Sequence, residues 1–195
     1  MAEQASNPSS GDRQNEERSL LLALHAGNEQ AARELWDRYA GRLRLYARSL
    51  TSDALADDIV QGVFLDVLRL RRSRVRAVED PAAWLCSLTR NAALNARRGQ
   101  SRRSRRETVG VLTEDRATLP GNPDDPASDI LDGLPQPWRE AVLLRHAYGF
   151  TLERLADALG VSRSTAADRY GRGIALAREL ATQAEQPKEE ASRAC

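Results

Sequence analysis

The chain has 195 residues, with 29 lysines and arginines against 28 aspartates and glutamates and a formal net charge of +1. That length allows one ordinary domain or two small ones with a real core, and the near-neutral balance leaves any nucleic-acid affinity to local clustering of charge. Cys86 and Cys195 are too few for a disulfide framework, and the absence of CxxC or Cys/His spacing argues against a zinc site.

Residues 1–18 begin MAEQASNPSSGDRQNEER, a polar stretch without the apolar core of a signal peptide, and are expected to be a disordered tail. With no apolar run of membrane-spanning length, no membrane insertion is expected, and a cytoplasmic location is the default. From Ser19 to about Arg98 the pattern is helical. Asn28 is placed to cap a helix in which Ala32, Leu35, Trp36, Tyr39, Leu43, Tyr46, Ala47 and Leu50 recur at three- and four-residue steps. Asp53 is placed to cap a second helix, with Ala56, Ile59, Val60, Val63, Phe64, Val67 and Leu68 on its apolar stripe. Its polar face presents Asp57, Asp58, Gln61 and Leu65, a mixed surface suited to a protein partner, although any solvated helix face has a similar look.

Asp80 followed by Pro81 marks the start of a third helix, cap and then first-turn proline, carrying Trp84, Leu85, Leu88, Ala92 and Asn95. Cys86 falls in its apolar run as a small core residue. The helix ends on Arg90, Asn91, Asn95, Arg97 and Arg98, followed by Arg102, Arg103, Arg105 and Arg106. A cationic end with two asparagines suits phosphates together with exposed base edges; the alternative is a solvated basic tail. Residues 107–129 then break the pattern with Gly110, Pro120, Gly121, Pro123 and Pro126 amid acidic side chains, which predicts a linker.

Residues 130–182 read as helix, helix, turn, helix. "PWREAVLLRHAYG" is an amphipathic helix ended by Gly149; Thr151 caps "LERLADALG", whose Gly160 takes the left-handed position after the helix. Val161 fills the turn, and Ser162 caps a last helix with Ala166, Tyr170, Ile174, Ala177 and Leu180 inward. Small Ala156 permits the steep crossing of a helix-turn-helix, although an ordinary helical hairpin remains the plainer alternative. The outward face is Arg163, Ser164, Ala167, Asp168, Gly171 and Arg172, with Arg169 at its flank. Arginines at both ends suit phosphates, and Asp168 suits a cytosine amine, so the face predicts selective rather than strong binding. Residues 183–195 are expected to be a second disordered tail.

"DDIVQGVFLDVLR", "WLCSLTRNAALNARR" and "LPQPWREAVLLRHAYGFTLERLADALGVSRSTAADRYGRGIALARELA" together resemble, in order and separation, the bacterial sigma-70 family of RNA polymerase sigma factors, extracytoplasmic-function (ECF) subfamily. The resemblance implies an all-α fold of two small helical domains: sigma domain 2 at 19–106 and the helix-turn-helix sigma domain 4 at 130–182, joined by the linker at 107–129. It implies that Asp57, Asp58, Gln61, Phe64 and Leu65 belong to the element that docks on the clamp helices of the polymerase largest subunit, Phe64 more as core than as contact. Asn91, Asn95, Arg97 and Arg98 would fall in the element that captures the −10 strand. Arg163, Ser164, Ala167, Asp168, Arg169 and Arg172 would face the −35 element. The implied partners are core RNA polymerase, promoter DNA and an anti-sigma factor.

Two departures stand out. Gly62 replaces the glutamate usual in the polymerase-binding motif, and "STAADRYGRG" replaces the commoner Thr-Val-Lys-Ser-Arg-Leu series. A competing reading is a two-domain helix-turn-helix regulator that acts without docking on the polymerase. No enzyme is expected. His25 and His146 stand without acid, base or metal partners in sequence, and there is no glycine-rich phosphate loop. No cofactor or metal is implied.

Overall fold

The computed structural model describes residues 10–107 and 126–193, and these form nine α-helices and no strand. The helices are α1 (Ser10–His25), α2 (Glu29–Arg48), α3 (Asp53–Arg69), α4 (Arg72–Arg76), α5 (Pro81–Glu107), α6 (Pro126–Gly133), α7 (Gln136–Ala147), α8 (Leu152–Leu159) and α9 (Arg163–Arg193). The all-helical expectation therefore holds.

Several boundaries follow directly from local chemistry. The side chain of Asn28 accepts from the Ala31 amide at 3.0 Å and starts α2. That of Asp80 accepts from the Ala83 amide at 3.0 Å, with Pro81 as the first residue of α5, where its missing N–H costs nothing. For α3 the capping position is Ser52 rather than Asp53, which is already the first helical residue.

Three helices run beyond the expected ends. The first begins at Ser10, inside the stretch read as a tail, because Leu21 and Leu24 are fully buried and carry the polar turns before them. Helix α6 begins at Pro126 within the expected linker, and α9 continues to Arg193 through the expected second tail. Residues 1–9, 108–125 and 194–195 of the expected tails and linker lie outside the described residues.

Helices α1, α2, α3 and α5 pack around Leu35, Leu43, Tyr46, Val60 and Leu85, all buried. A second group, α7 to α9, closes over Leu144, Phe150, Leu155 and Ala166. These are not two separate cores. Helix α5 packs against α8 and α2 against α7, so the buried side chains form one continuous cluster across both groups. Cys86 is buried in that cluster, and burial pushes its thiol pKa well up, away from the reactive thiolate.

Gly173 sets how closely α9 lies on α7. A Cβ there would stand 2.7 Å from Val142 Cγ2 and 3.1 Å from the Trp138 carbonyl oxygen, and the backbone oxygen cannot swing away. Gly173→Ala is therefore expected to cost ~1–3 kcal/mol through overpacking, although alanine is the better helix former. Gly62 faces open space, so Gly62→Ala is expected to stabilise by up to ~1 kcal/mol. Thermal unfolding followed by circular dichroism separates the pair. An unchanged midpoint for Gly173→Ala would mean that α9 rests loosely on α7.

Candidate functional site

Three outward faces carry the side chains that the motifs single out. On α3, Asp57, Asp58, Gln61 and Leu65 are exposed, while Phe64 is buried beneath them with its ring centroid 5.1 Å from that of Trp36. Asp57 is ion-paired with Arg44 of α2, which removes it as an open charge and leaves Asp58 as the free carboxylate of that turn. Leu68, expected on the buried stripe, is instead 47% exposed, beside Leu65 at 51%. The two leucines edge an open groove of about 520 Å³ floored by Leu24, Trp36 and Phe64 and rimmed by Gln61. Its lining comes from α1, α2 and α3. No helical periodicity within one segment reveals a groove shared by three.

On α5, Asn91, Asn95, Arg97 and Arg98 are all exposed along the C-terminal half. Arg97 Nη1 donates to Gln136 Oε1 of α7 at 2.8 Å, and Arg98 Nη1 donates to Asn95 Oδ1 at 3.4 Å. Arg90 does not join this face. It turns inward, and its Nε donates to Glu140 Oε2 of α7 at 2.7 Å. The side chains of Arg102, Arg103, Arg105 and Arg106 lie outside the described ones.

The last face belongs to α8 and α9, whose turn is built as the sequence predicts. Thr151 Oγ1 accepts from the Arg154 amide, Gly160 sits at φ 63° and ψ 41°, and Ser162 Oγ accepts from the Thr165 amide at 3.2 Å. At φ 63° a side chain would be strained, so glycine is needed there. Arg163, Ser164, Asp168, Gly171 and Arg172 are exposed, with Ala167 and Arg169 half-buried. Two of the cations are already engaged: Arg172 Nε donates to Asp168 Oδ1 at 2.9 Å, and Arg163 pairs with Glu153 of α8. A backbone hydrogen bond and the Arg163 guanidinium hold the Glu153 carboxyl below its usual range. Two of the three arginines of this face are therefore neutralised locally, by Glu153 and Asp168.

The join between the two helix groups carries functional-looking chemistry that the sequence analysis did not find. Glu140 is 1% exposed, accepts from Arg90, from the Tyr46 hydroxyl at 3.4 Å and, on its other oxygen, from Gln136 Nε2 at 2.7 Å. Arg154 reaches from α8 to Asp80 in a two-pronged contact, with Nη2 donating to Oδ1 at 2.9 Å, and its guanidinium lies 4.7 Å from the centre of the Phe150 ring. Burial works against the Arg154 charge, but Asp80 outweighs it and the pKa is raised. One signal was available. In "REAVLL", Glu140 lies four residues before buried Leu144, a carboxylate at an inward register.

His25 Nε2 donates to the Leu70 carbonyl oxygen at 2.7 Å, and His146 Nε2 lies 3.5 Å from the Tyr170 hydroxyl. Among the described residues, no group of three or more His, Cys, Asp or Glu side chains is arranged to hold a metal ion, and no helix is long and apolar enough to cross a membrane.

The family model for sigma-70 region 2 matches residues 35–103. The RNA polymerase sigma factor CarQ of Myxococcus xanthus is 34% identical over 163 residues, covering 79% of this chain and 91% of that protein. The ECF RNA polymerase sigma factor EcfG of Rhodopseudomonas palustris (strain TIE-1) is 34% identical over 138 residues, or 67% of this chain and 74% of that protein. In fold, the chain is similar to the sigma factor RpoE solved in complex with the anti-sigma factor NepR from Bartonella quintana. The TM-score is 0.62 at 23% identity, with 77% of this chain and 96% of that one covered. Motif order, helical architecture and the extent of these matches agree: the chain belongs to the ECF sigma factors of the sigma-70 family.

Proposed function

We propose that this sigma factor binds core RNA polymerase through the α3 face and its groove, and directs it to a promoter subset through α5 and α9. Asp58, Gln61, Leu65 and the Phe64-floored groove receive a helix of the polymerase largest subunit, with Asp57 held in support by Arg44. Asn91, Asn95, Arg97 and Arg98 take the −10 strand: the arginines grip phosphate, and the asparagines offer donors and acceptors to unstacked bases. Arg163, Ser164, Ala167, Asp168, Arg169 and Arg172 meet the −35 element, with α9 in the major groove. Residues 19–106 and 130–182 act as the two binding units, with 107–129 between them. The protein works where the polymerase is, in the cytoplasm, and an anti-sigma factor is its natural antagonist.

The observation that supports this best is that Asp58 and Gln61 on α3, Asn91, Asn95, Arg97 and Arg98 on α5, and Arg163, Ser164, Asp168 and Arg172 on α9 are all exposed at once, while the apolar side chains between them make the core. A buried face at any of the three would have argued against it. Because two of the three arginines of the α9 face are already paired with carboxylates, it grips DNA weakly alone and needs the polymerase to hold it near the promoter. The decisive experiment mixes the purified chain with core polymerase and follows copurification and run-off transcription from a promoter library. Sequence-selective transcripts that need both components are expected. A footprint by the chain alone, with no polymerase binding, would favour the stand-alone regulator.

Arg97→Ala with Arg98→Ala is expected to lower open-complex formation roughly 10- to 100-fold, as two phosphate contacts are lost, and to leave copurification with core within a few-fold. Permanganate footprinting of the melted strand reads the first quantity. An equal fall in both would place this segment in the docking surface.

A further inference from the structure

The α3 groove has a shape that fits a copy of itself. Leu65 and Leu68 are the only large apolar side chains exposed among the described residues, and they edge a hollow floored by Leu24, Trp36 and Phe64. A ridge beside a hollow of the same chemistry is what a twofold interface requires, because each copy then supplies the knob that fills the other. Apolar surface gathered in one place on an otherwise polar exterior marks a contact surface.

The charges around the groove select a direction. Arg44 meets Asp57 and Trp36 meets Phe64, so α2 and α3 run antiparallel, and Arg33 falls level with Leu68. One end of the groove therefore carries Arg33 and Arg69, while Asp37 and then Asp58 lie towards the other. The two arginines are held only by exposed neighbours on their own helices, Glu29 at 3.5 Å and Asp66 at 3.9 Å, and such contacts contribute little in water. Asp37 and Asp58 are exposed and pair with no cation among the described residues. A second copy laid end for end sets the basic end of each against the acidic end of the other. Laid in the same direction, it would set like charge against like.

We propose that the free sigma factor pairs with a second copy of itself through this groove, about an antiparallel twofold axis near Leu65, and that polymerase must displace the second copy to dock. This rests on the reading of the groove as the polymerase surface. Leu65 and Leu68 of each copy enter the hollow of the other, Arg33 meets Asp58 of the second copy, and Arg69 meets its Asp37. One groove per copy buries about 1,000 Å² in total, the low end for specific interfaces. The pair therefore forms at micromolar concentration, loosens on dilution and gives way to a tighter binder. Above the pairing constant, free monomer grows only as the square root of total protein, so pairing damps the response of polymerase loading to the supply of sigma factor.

The test is sedimentation of the full-length chain over about 1–200 μM, alone and with core polymerase. Wild type is expected to rise from the mass of one chain towards two across that range, and Leu65→Asp with Leu68→Asp to stay at one. Arg33→Glu alone and Asp58→Arg alone are each expected to weaken pairing about 5- to 20-fold. The two together are expected to restore it to within about threefold, because the exchanged charges meet again across the axis. Loss of fold would not give that rescue, so the charge exchange decides the matter if the leucine variant loses helical content. A wild type that stays at one chain throughout, a folded leucine variant that still pairs, or an exchange without rescue overturns pairing through this groove. A polymerase complex that carries two copies of the chain overturns the shared surface. If the leucine variant no longer pairs yet binds polymerase as wild type does, the pairing stands and the polymerase reading of the groove falls.

Discussion

Leu65→Asp together with Leu68→Asp is expected to lower affinity for core RNA polymerase by about two to three orders of magnitude. Both leucines are about half exposed on one side of α3 and edge the groove over Trp36 and Phe64. Aliphatic anchors that enter a partner's pocket commonly account for ~2 kcal/mol each, and a buried new carboxylate adds a desolvation cost. Neither side chain belongs to the buried core, so helical content and the unfolding midpoint are expected to stay close to wild type. Binding is read by fluorescence anisotropy of labelled protein against core enzyme. Asp58→Arg with Gln61→Arg, on the exposed α3 face with Gln61 at the rim of the same groove, is expected to weaken binding by about tenfold, in line with rim charges elsewhere. Gly62→Glu is expected to leave binding equal or stronger, since the position is open. Unchanged affinity in the leucine double variant would place the docking surface elsewhere.

The second large effect concerns Asp168 and Arg172. The sequence presents them as independent contacts, one selective and one electrostatic, but the structure pairs them at 2.9 Å. In an exposed i,i+4 pair this contributes ~0.3–0.5 kcal/mol to the fold, too little for its loss to unfold α9. Its effect on DNA is larger. Asp168→Ala is expected to relax preference at one base pair by ~1–3 kcal/mol. It also frees Arg172 for phosphate, so affinity for unrelated sequences rises and the salt dependence steepens by about one unit of slope. Arg172→Ala is expected to weaken binding to all sequences alike and to flatten that slope by a similar amount. Holoenzyme on a library of −35 sequences at two salt concentrations measures both. If Asp168→Ala changes neither preference nor slope, its role ends at holding Arg172.

Local rules made much of this protein legible. Asn28, Asp80, Thr151, Gly160 and Ser162 stand at helix ends for reasons written within four residues of each, and the structure finds all five in those roles. The family motifs named the three faces. What remained hidden depends on groups far apart in the chain. Arg90 reads as one more cation in a basic run until Glu140, fifty positions on, turns it inward. Leu68 satisfies the periodicity of the α3 stripe but lies at the edge of the open groove over Leu24 and Trp36, so it stays half exposed. The first two turns of α1 have no apolar pattern of their own, and their helicity follows from Leu21 and Leu24 further along. Gly173 looks like a weak helix residue until α7 is placed against it.

Helix α9 is a single element from the turns around Asp168 to beyond Leu180, and two contacts aim it. Gly173 rests on Trp138 and Val142, and Leu180 Cδ1 lies where a Cβ on Gly133 would intrude, at 2.7 Å. These supports stand ~7 Å and ~18 Å along the helix from Asp168. Two fixed points determine the axis of a rod, and a small shift at either swings the end that carries Asp168 and Arg172. If α9 meets the −35 element as proposed, promoter preference is encoded partly in residues that never approach DNA. A lineage of such proteins can drift to new promoters by repacking α6 and α7 while every base-facing side chain stays the same.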